Sequence, residues 1–335
     1  MIHLRIVAPE EVAHQALEVL NGSAAVLNIV HLHGVAQKPA GDVILCDVAR
    51  EDGSVILGDL KELEIPKHGS IAVETVDSAM SELAAAAEKA ASGLPSDAVV
   101  WEEVEQRTSE NTELSLSFVA FMVLAMQIAS VGILLDQPIL IVGAMVVGPE
   151  FGPLAGLCVA LVERRKDLAR RSLIALGVGF PLAMLVTLLT VVLFHAVGVA
   201  PEDFVPDDHP LTEFISQPDF FSFFVAFVAG TAGILSLTNA KSGALIGVLI
   251  SVTTIPAAAY VGTAFAYGEA EDAVGAATQL GINLLAIVLA GVLTLFVQRR
   301  YYVRRRREHL MDPARAKAGL PLGHSARKAH KASRP

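Results

Sequence analysis

Apolar residues follow two different rules along this chain, and the change comes near residue 114. Before it they recur with the short periods of water-exposed elements; from 114 to 297 they run together in long blocks. His3–Ala8 alternates as a short strand. Pro9-Glu10-Glu11 then opens a helix to about Leu20, with Val12, Ala16, Val19 and Leu20 at helical spacing and acids in the first turn. Ala24–His33 reads as a strand, Gly34–Gly41 as a turn-rich link and Asp42–Ala49 as a second strong strand. Glu51-Asp52-Gly53-Ser54 starts another helix, with Val55, Ile56, Leu60 and Leu63 on one stripe, and Gly69–Val76 supplies a last strand. The order βαββαβ predicts an α+β ferredoxin-like domain over residues 1–76. That fold hosts many functions, so a small-molecule regulatory module and a dimerisation module both fit.

Residues 77–113 read as a helical linker. Ser78–Ala91 is Ala-rich and ends at the stop signal Ser92-Gly93-Leu94-Pro95. Trp101, the single tryptophan, lies in a juxtamembrane stretch and is expected to pack against the first domain.

The apolar blocks predict six membrane spans at about 114–135, 138–162, 172–197, 220–237, 243–266 and 278–297. The charges between them set an orientation. Arg164, Arg165, Lys166, Arg170 and Arg171 follow the second block, Lys241 follows the fourth, and Arg299, Arg300 and Arg304–Arg307 follow the sixth. The intervening stretches 198–219 and 268–277 carry acids and neither lysine nor arginine. The positive-inside rule therefore places both termini in the cytoplasm of a bacterial inner-membrane protein. Residues 298–335 form a basic tail; directly after a span, it reads as a topology anchor against anionic lipid rather than a nucleic-acid site. From Leu310 onward that tail is expected to be disordered.

The second block holds the strongest chemical signal. Its middle reads Gly148-Pro149-Glu150-Phe151-Gly152-Pro153: two prolines each remove a backbone donor, two glycines loosen the helix, and a carboxylate lies between them. In lipid, freed backbone groups need neighbouring helices or water, and an ionisable group at that depth is a candidate functional site; the alternative is a Pro-kinked helix whose Glu150 is protonated and hydrogen-bonded inside the bundle. Shifting the chain by about 104 residues lays spans one to three on spans four to six, as a 3+3 inverted repeat would. Glu150 then falls on Thr254, within Thr253-Thr254-Ile255-Pro256, and both lie near the middle of a ~30 Å core. Interrupted helices present free N–H groups there, which Thr253 and Thr254 are placed to cap and which suit an anion, while Glu150 suits a proton or cation. Further polar candidates are Gln127, Ser130, Thr231, Ser236, Asn239, Ser251, Gln279 and Asn283. The binding residues proposed from sequence are Gly148, Pro149, Glu150, Gly152, Pro153, Thr253, Thr254, Pro256, Asn239 and Asn283.

Composition adds limits. The chain is 53% hydrophobic, its mean hydropathy is +0.55, and the net charge of -10 conceals the segregation above. Met1-Ile2-His3-Leu4-Arg5 leads straight into mixed sequence, so no signal peptide is expected. Cys46 and Cys158 form no C-x-x-C motif and read as inert core thiols. His31 and His33 share a strand face, with His3 a candidate neighbour. No cysteine or carboxylate joins them at ligand spacing, so they read as surface or packing histidines and no metal is expected. No nucleophile–base pair, phosphate loop or nucleophile elbow appears, so neither an enzyme nor a cofactor is expected.

VGAMVVGPEFGPLAG (142–156), GTAGILSLTNAKSGALIGVLISVTTIPAAAYVG (230–262) and LGINLLAIVLAG (280–291) together resemble the domain-of-unknown-function 389 family, uncharacterised hydrophobic proteins of bacterial membranes. The likeness covers about 114–297, and the N-terminal region and Trp101 segment are similar to actinobacterial members. Many members resemble it with an apolar residue where this chain has Glu150, which confines a role for that carboxylate to a subgroup. The resemblance implies a polytopic inner-membrane protein and names no substrate. The expected function is secondary transport of a small solute, proton-coupled, by a homo-oligomer in the bilayer; a channel and a membrane-anchored ligand sensor are the alternatives.

Overall fold

A computed structural model describes residues 1–76, 81–91, 99–201, 215, 217, 219–238, 247, 250, 253–310 and 313–321. The chain forms two compact units, Met1–Val104 with Gln298–Pro335, and Glu105–Val297.

In the first unit the elements run β1 (Ile2–Ala8), α1 (Glu10–Gly22), β2 (Val26–Gln37), β3 (Ala40–Val48), α2 (Arg50–Glu62), α3 (Ile65–His68) and β4 (Ser70–Thr75). The strands pair antiparallel in the order β2-β3-β1-β4. The register Leu4↔Cys46 and Ile6↔Ile44 puts the even-numbered residues of β1 and β3 on one face. Alternation alone then buries Ile2, Leu4, Ile6, Ile44, Cys46 and Val48 beneath Ala16 and Leu20 of α1 and Ile56 and Leu60 of α2. His3 lies on the opposite face, where its Nδ1 meets Asp47 Oδ1 at 2.7 Å; it is no neighbour of His31.

Gly34 behaves differently from its sequence reading. It does not begin a link to Gly41: β2 continues to Gln37, and the turn shrinks to two residues. A register shift between Leu32 and Ala36 takes up Gly34, whose φ of +63° is cheap for glycine. Gly41 is required for another reason, because a Cβ there would strike the carbonyl of Ala8.

Past β4, α4 (Glu82–Ala90) is capped by Ser81, and α5 spans Trp101–Glu110. Trp101 is buried, with its backbone N–H donating to Ser54 Oγ at 2.8 Å and its ring 6.2 Å from that of Tyr302. The C-terminal stretch, read as disordered from Leu310, is instead folded in its described part. Arg306, His309 and Arg315 all reach the fully buried carboxylate of Asp59, and Ala318 and Leu320 enter the core. Charge compensation explains it: α2 offers Asp52, Asp59 and Glu62 to a basic run.

The second unit contains α6 (Leu116–Leu134), α7 (Pro138–Val147), α8 (Phe151–Glu163), α9 (Lys166–Ala196), α10 (Phe220–Thr238), α11 (Thr254–Tyr267) and α12 (Ala270–His309), the last continuing into the first unit. Among the described residues four helices, α6, α9, α10 and α12, are long and apolar enough to cross a bilayer; the pair α7–α8, bent by 51°, makes a fifth candidate. The span read over 243–266 is described mainly from Thr253 onward, where α11 has 14 residues. Helix α11 is buried all round from Thr254 to Ala264, as an inner helix rich in small residues should be. A Cβ on Gly262 would lie 2.8 Å from the Met184 carbonyl oxygen, and one on Gly230 equally close to Ile287 Cα, so both glycines let helices cross closely. The unit also takes in 105–113, which sequence placed in the linker. A Cβ on Gly152 would come within 2.8 Å of the Asn111 carbonyl oxygen, and Arg165 pairs with Glu105.

Candidate functional site

The break in the second span is built by its own residues. Helix α7 ends where Gly148 donates to the Ala144 carbonyl at 3.1 Å and turns extended, with φ -62° and ψ 129°. Pro149 has no N–H to continue the ladder, and Pro153 is accommodated in the first turn of α8, where its missing donor costs little. Glu150 sits at the cap position of α8 and is 5% exposed. A side chain on Gly148 would collide with Ile255, whose Cγ1 would lie 2.6 Å from a Cβ there. The broken segment therefore packs directly against the start of α11.

That contact carries the chemistry. Thr254 Oγ1 donates to Glu150 Oε1 at 2.7 Å, and Glu150 Oε2 is buried with no hydrogen-bond partner among the described residues. Thr253 Oγ1 accepts from Asn283 Nδ2 of α12 at 3.0 Å, and Asn283 Oδ1 accepts from Gln279 Nε2 at 3.3 Å. Gln279 Oε1 is likewise buried and unpartnered among the described residues. Pro256 is buried in the first turn of α11. The structure thus gathers Gly148, Pro149, Glu150, Gly152 and Pro153 at one break, and Thr253, Thr254, Pro256 and Asn283 beside it. Asn239 and Ser251 lie outside the described residues.

One sequence expectation is corrected. The Thr253 and Thr254 hydroxyls do not cap α11, because side chains from other helices, Asn283 and Glu150, compete for them. The two unpartnered atoms are both oxygen acceptors, which suits a proton or small cation better than an anion. Gln127 bonds Thr187 Oγ1 at 3.3 Å, and Ser130 and Thr231 bond back to their own helices, so these act in helix packing.

A pocket of about 350 Å³ opens beside this break, walled by Asn111, Ser115, Phe118, Pro149, Phe151 and Gly152 among others; Glu150 is not in its wall. Ile255 and Asn111 escaped sequence reading because one lies in an apolar run and the other in a polar linker, and neither pattern reports a tertiary contact.

Apolar helices of crossing length around a buried polar break define a helical membrane protein. The family model described as Domain of unknown function (DUF389) matches residues 145–289, the stretch that carries the Gly-Pro-Glu-Phe-Gly-Pro string. The matched stretch contains the Gly148–Pro153 break, the start of α11 and Asn283. An uncharacterized protein of Methanocaldococcus jannaschii is 26% identical over 194 residues, which is 58% of this chain and 58% of that protein. No solved structure matches.

Proposed function

We propose that the protein is a secondary transporter of a small solute, coupled to protons through Glu150. The observation that carries this reading is the Thr254–Glu150 hydrogen bond, which joins two helix starts in the interior of the second unit and leaves one carboxylate oxygen uncommitted. A buried acceptor without a partner costs about 1–3 kcal/mol, and a proton or cation relieves that cost. The pocket beside Pro149 and Phe151 is of a volume suited to a small solute. Six spans, with α11 the second half of the fifth, and cytoplasmic termini at the bacterial inner membrane complete the proposed architecture, resting on the charge pattern between the blocks. The strand order β2-β3-β1-β4 supports a ferredoxin-like domain that regulates the membrane unit or pairs two copies.

The test is uptake by proteoliposomes against a panel of small solutes, with and without an imposed proton gradient. Native protein should accumulate at least one solute when the gradient is present, and Glu150→Gln should abolish accumulation while leaving exchange. Gradient-independent flux at channel rates, or gradient-driven uptake undiminished in Glu150→Gln, would sink the reading.

A further inference from the structure

We propose that His31, His33 and Asp42 form a binding site for a divalent metal ion of the zinc type on the N-terminal sheet. The three side chains come from adjacent strands. His31 and His33 lie on β2, and Asp42 on β3 faces the same side as Ile44, which is the cross-strand neighbour of His31. His31 Nε2 lies 2.7 Å and His33 Nδ1 3.4 Å from the same oxygen, Asp42 Oδ2. All three donor atoms fall within 4.8 Å of one another. On a tetrahedral zinc ion, ligand atoms at about 2.0–2.2 Å from the metal stand roughly 3.3 Å apart, so small side-chain rotations admit the ion.

The surroundings prepare this arrangement. The irregularity between Leu32 and Ala36 turns the Gly34 N–H onto Asp42 Oδ1 at 2.8 Å. One carboxylate oxygen is thereby held by backbone, and the other is presented to both imidazoles, as an outer-shell partner orients a metal ligand. Asp42 is buried while His33 is 68% exposed, so an ion has an entrance and an open coordination position for water. The exposed His14 ring is centred 6.2 Å from that of His31. A simple His–Asp ion pair needs one imidazole; here two present nitrogen to one oxygen. Two imidazoles with one carboxylate favour zinc-like ions over magnesium or calcium, which prefer oxygen ligands throughout.

The test uses tag-free full-length protein in detergent, stripped with chelator and titrated with Zn²⁺ against a chromophoric competitor, with Mg²⁺ in parallel. One equivalent of Zn²⁺ should bind per chain and resist millimolar Mg²⁺. His33→Ala should weaken the binding by on the order of tenfold or more. Because His33 is exposed, that variant should keep the native circular dichroism and melting curve without metal, which separates lost ligation from lost fold. His31→Ala should weaken the binding by a similar factor. Absence of a retained equivalent, or unaltered affinity in His33→Ala, overturns the site. Transport plays no part in this assay, so the inference stands or falls apart from the function proposed above.

Discussion

Thr254 and Glu150, 104 residues apart in the chain, share a 2.7 Å hydrogen bond inside the second unit. The hydroxyl satisfies one carboxylate oxygen, and the Gly148 backbone lies so close to the other that no Cβ fits between them. A helix start, a helix break and a carboxylate are therefore one packed object, and a change in any of them should be felt by the others.

Removing the hydroxyl tests that coupling. Thr254→Val keeps the shape of the side chain and leaves both Glu150 oxygens without this donor, so it should cost about 1–3 kcal/mol. Thermal unfolding in detergent should show a lower midpoint for Thr254→Val than for Thr254→Ser. Equal midpoints for the two variants would mean that the hydroxyl contributes nothing.

Two glycines make a controlled pair for helix packing. A Cβ on Gly262 would lie 2.8 Å from the Met184 carbonyl oxygen, whereas one on Gly143 meets nothing within 4 Å. Gly262→Ala should therefore destabilise by about 1–3 kcal/mol through overpacking. Gly143→Ala should be neutral or gain up to ~1 kcal/mol from helix propensity. The comparison is again a melting curve, and destabilisation by both would point to something other than the close α9–α11 crossing.

Asp59 organises the C-terminal segment. Its carboxylate is fully buried and meets Arg306, His309 and Arg315. Asp59→Ala strands buried cationic groups, which typically costs about 3–5 kcal/mol. Limited trypsin digestion should then release fragments cut at Arg306 and Arg315 well before the native chain is cleaved. Native-like protection of these sites would show that the carboxylate does not hold the segment.

Cys46 makes a pH-dependent prediction. Burial pushes its thiol up to about 12, with the Asp47 carboxylate adding to the effect. The native thiol should therefore resist alkylation at pH 8, measured in a Cys158→Ala background so that only one thiol is counted. The unfolded thiol ionises from about pH 9, and the folded one only near 12. Stability from burying the neutral thiol is thus present below pH 9 and lost as pH rises through that window. A Cys46→Ala chain should lose less stability than the native chain between pH 9 and 11.

Much of the local architecture was legible before any coordinates. The strands over 3–8 and 42–49 and the buried Cys46 thiol were read from the chain, and four of the apolar blocks fall on helices long and apolar enough to cross a bilayer. Pro149 and Pro153 located the break, because a missing N–H acts on its own turn of helix. Gly34 misled because a bulge and a turn make the same demand for positive φ, and only the partner strand tells them apart.

Partners were a different matter. Neither periodicity nor composition joins Asp42 to His31 and His33, or Asp59 to Arg306 and Arg315, since those pairings depend on sheet register and on where the last helix returns. The shift of about 104 residues set Glu150 and Thr254 in correspondence, yet it was packing that turned correspondence into contact and sent the threonine hydroxyls to side chains instead of the helix end. Hydrophobic periods and backbone breakers act over one or two turns and can be read from the chain. Hydrogen bonds between residues far apart exist only once the intervening chain has closed upon itself.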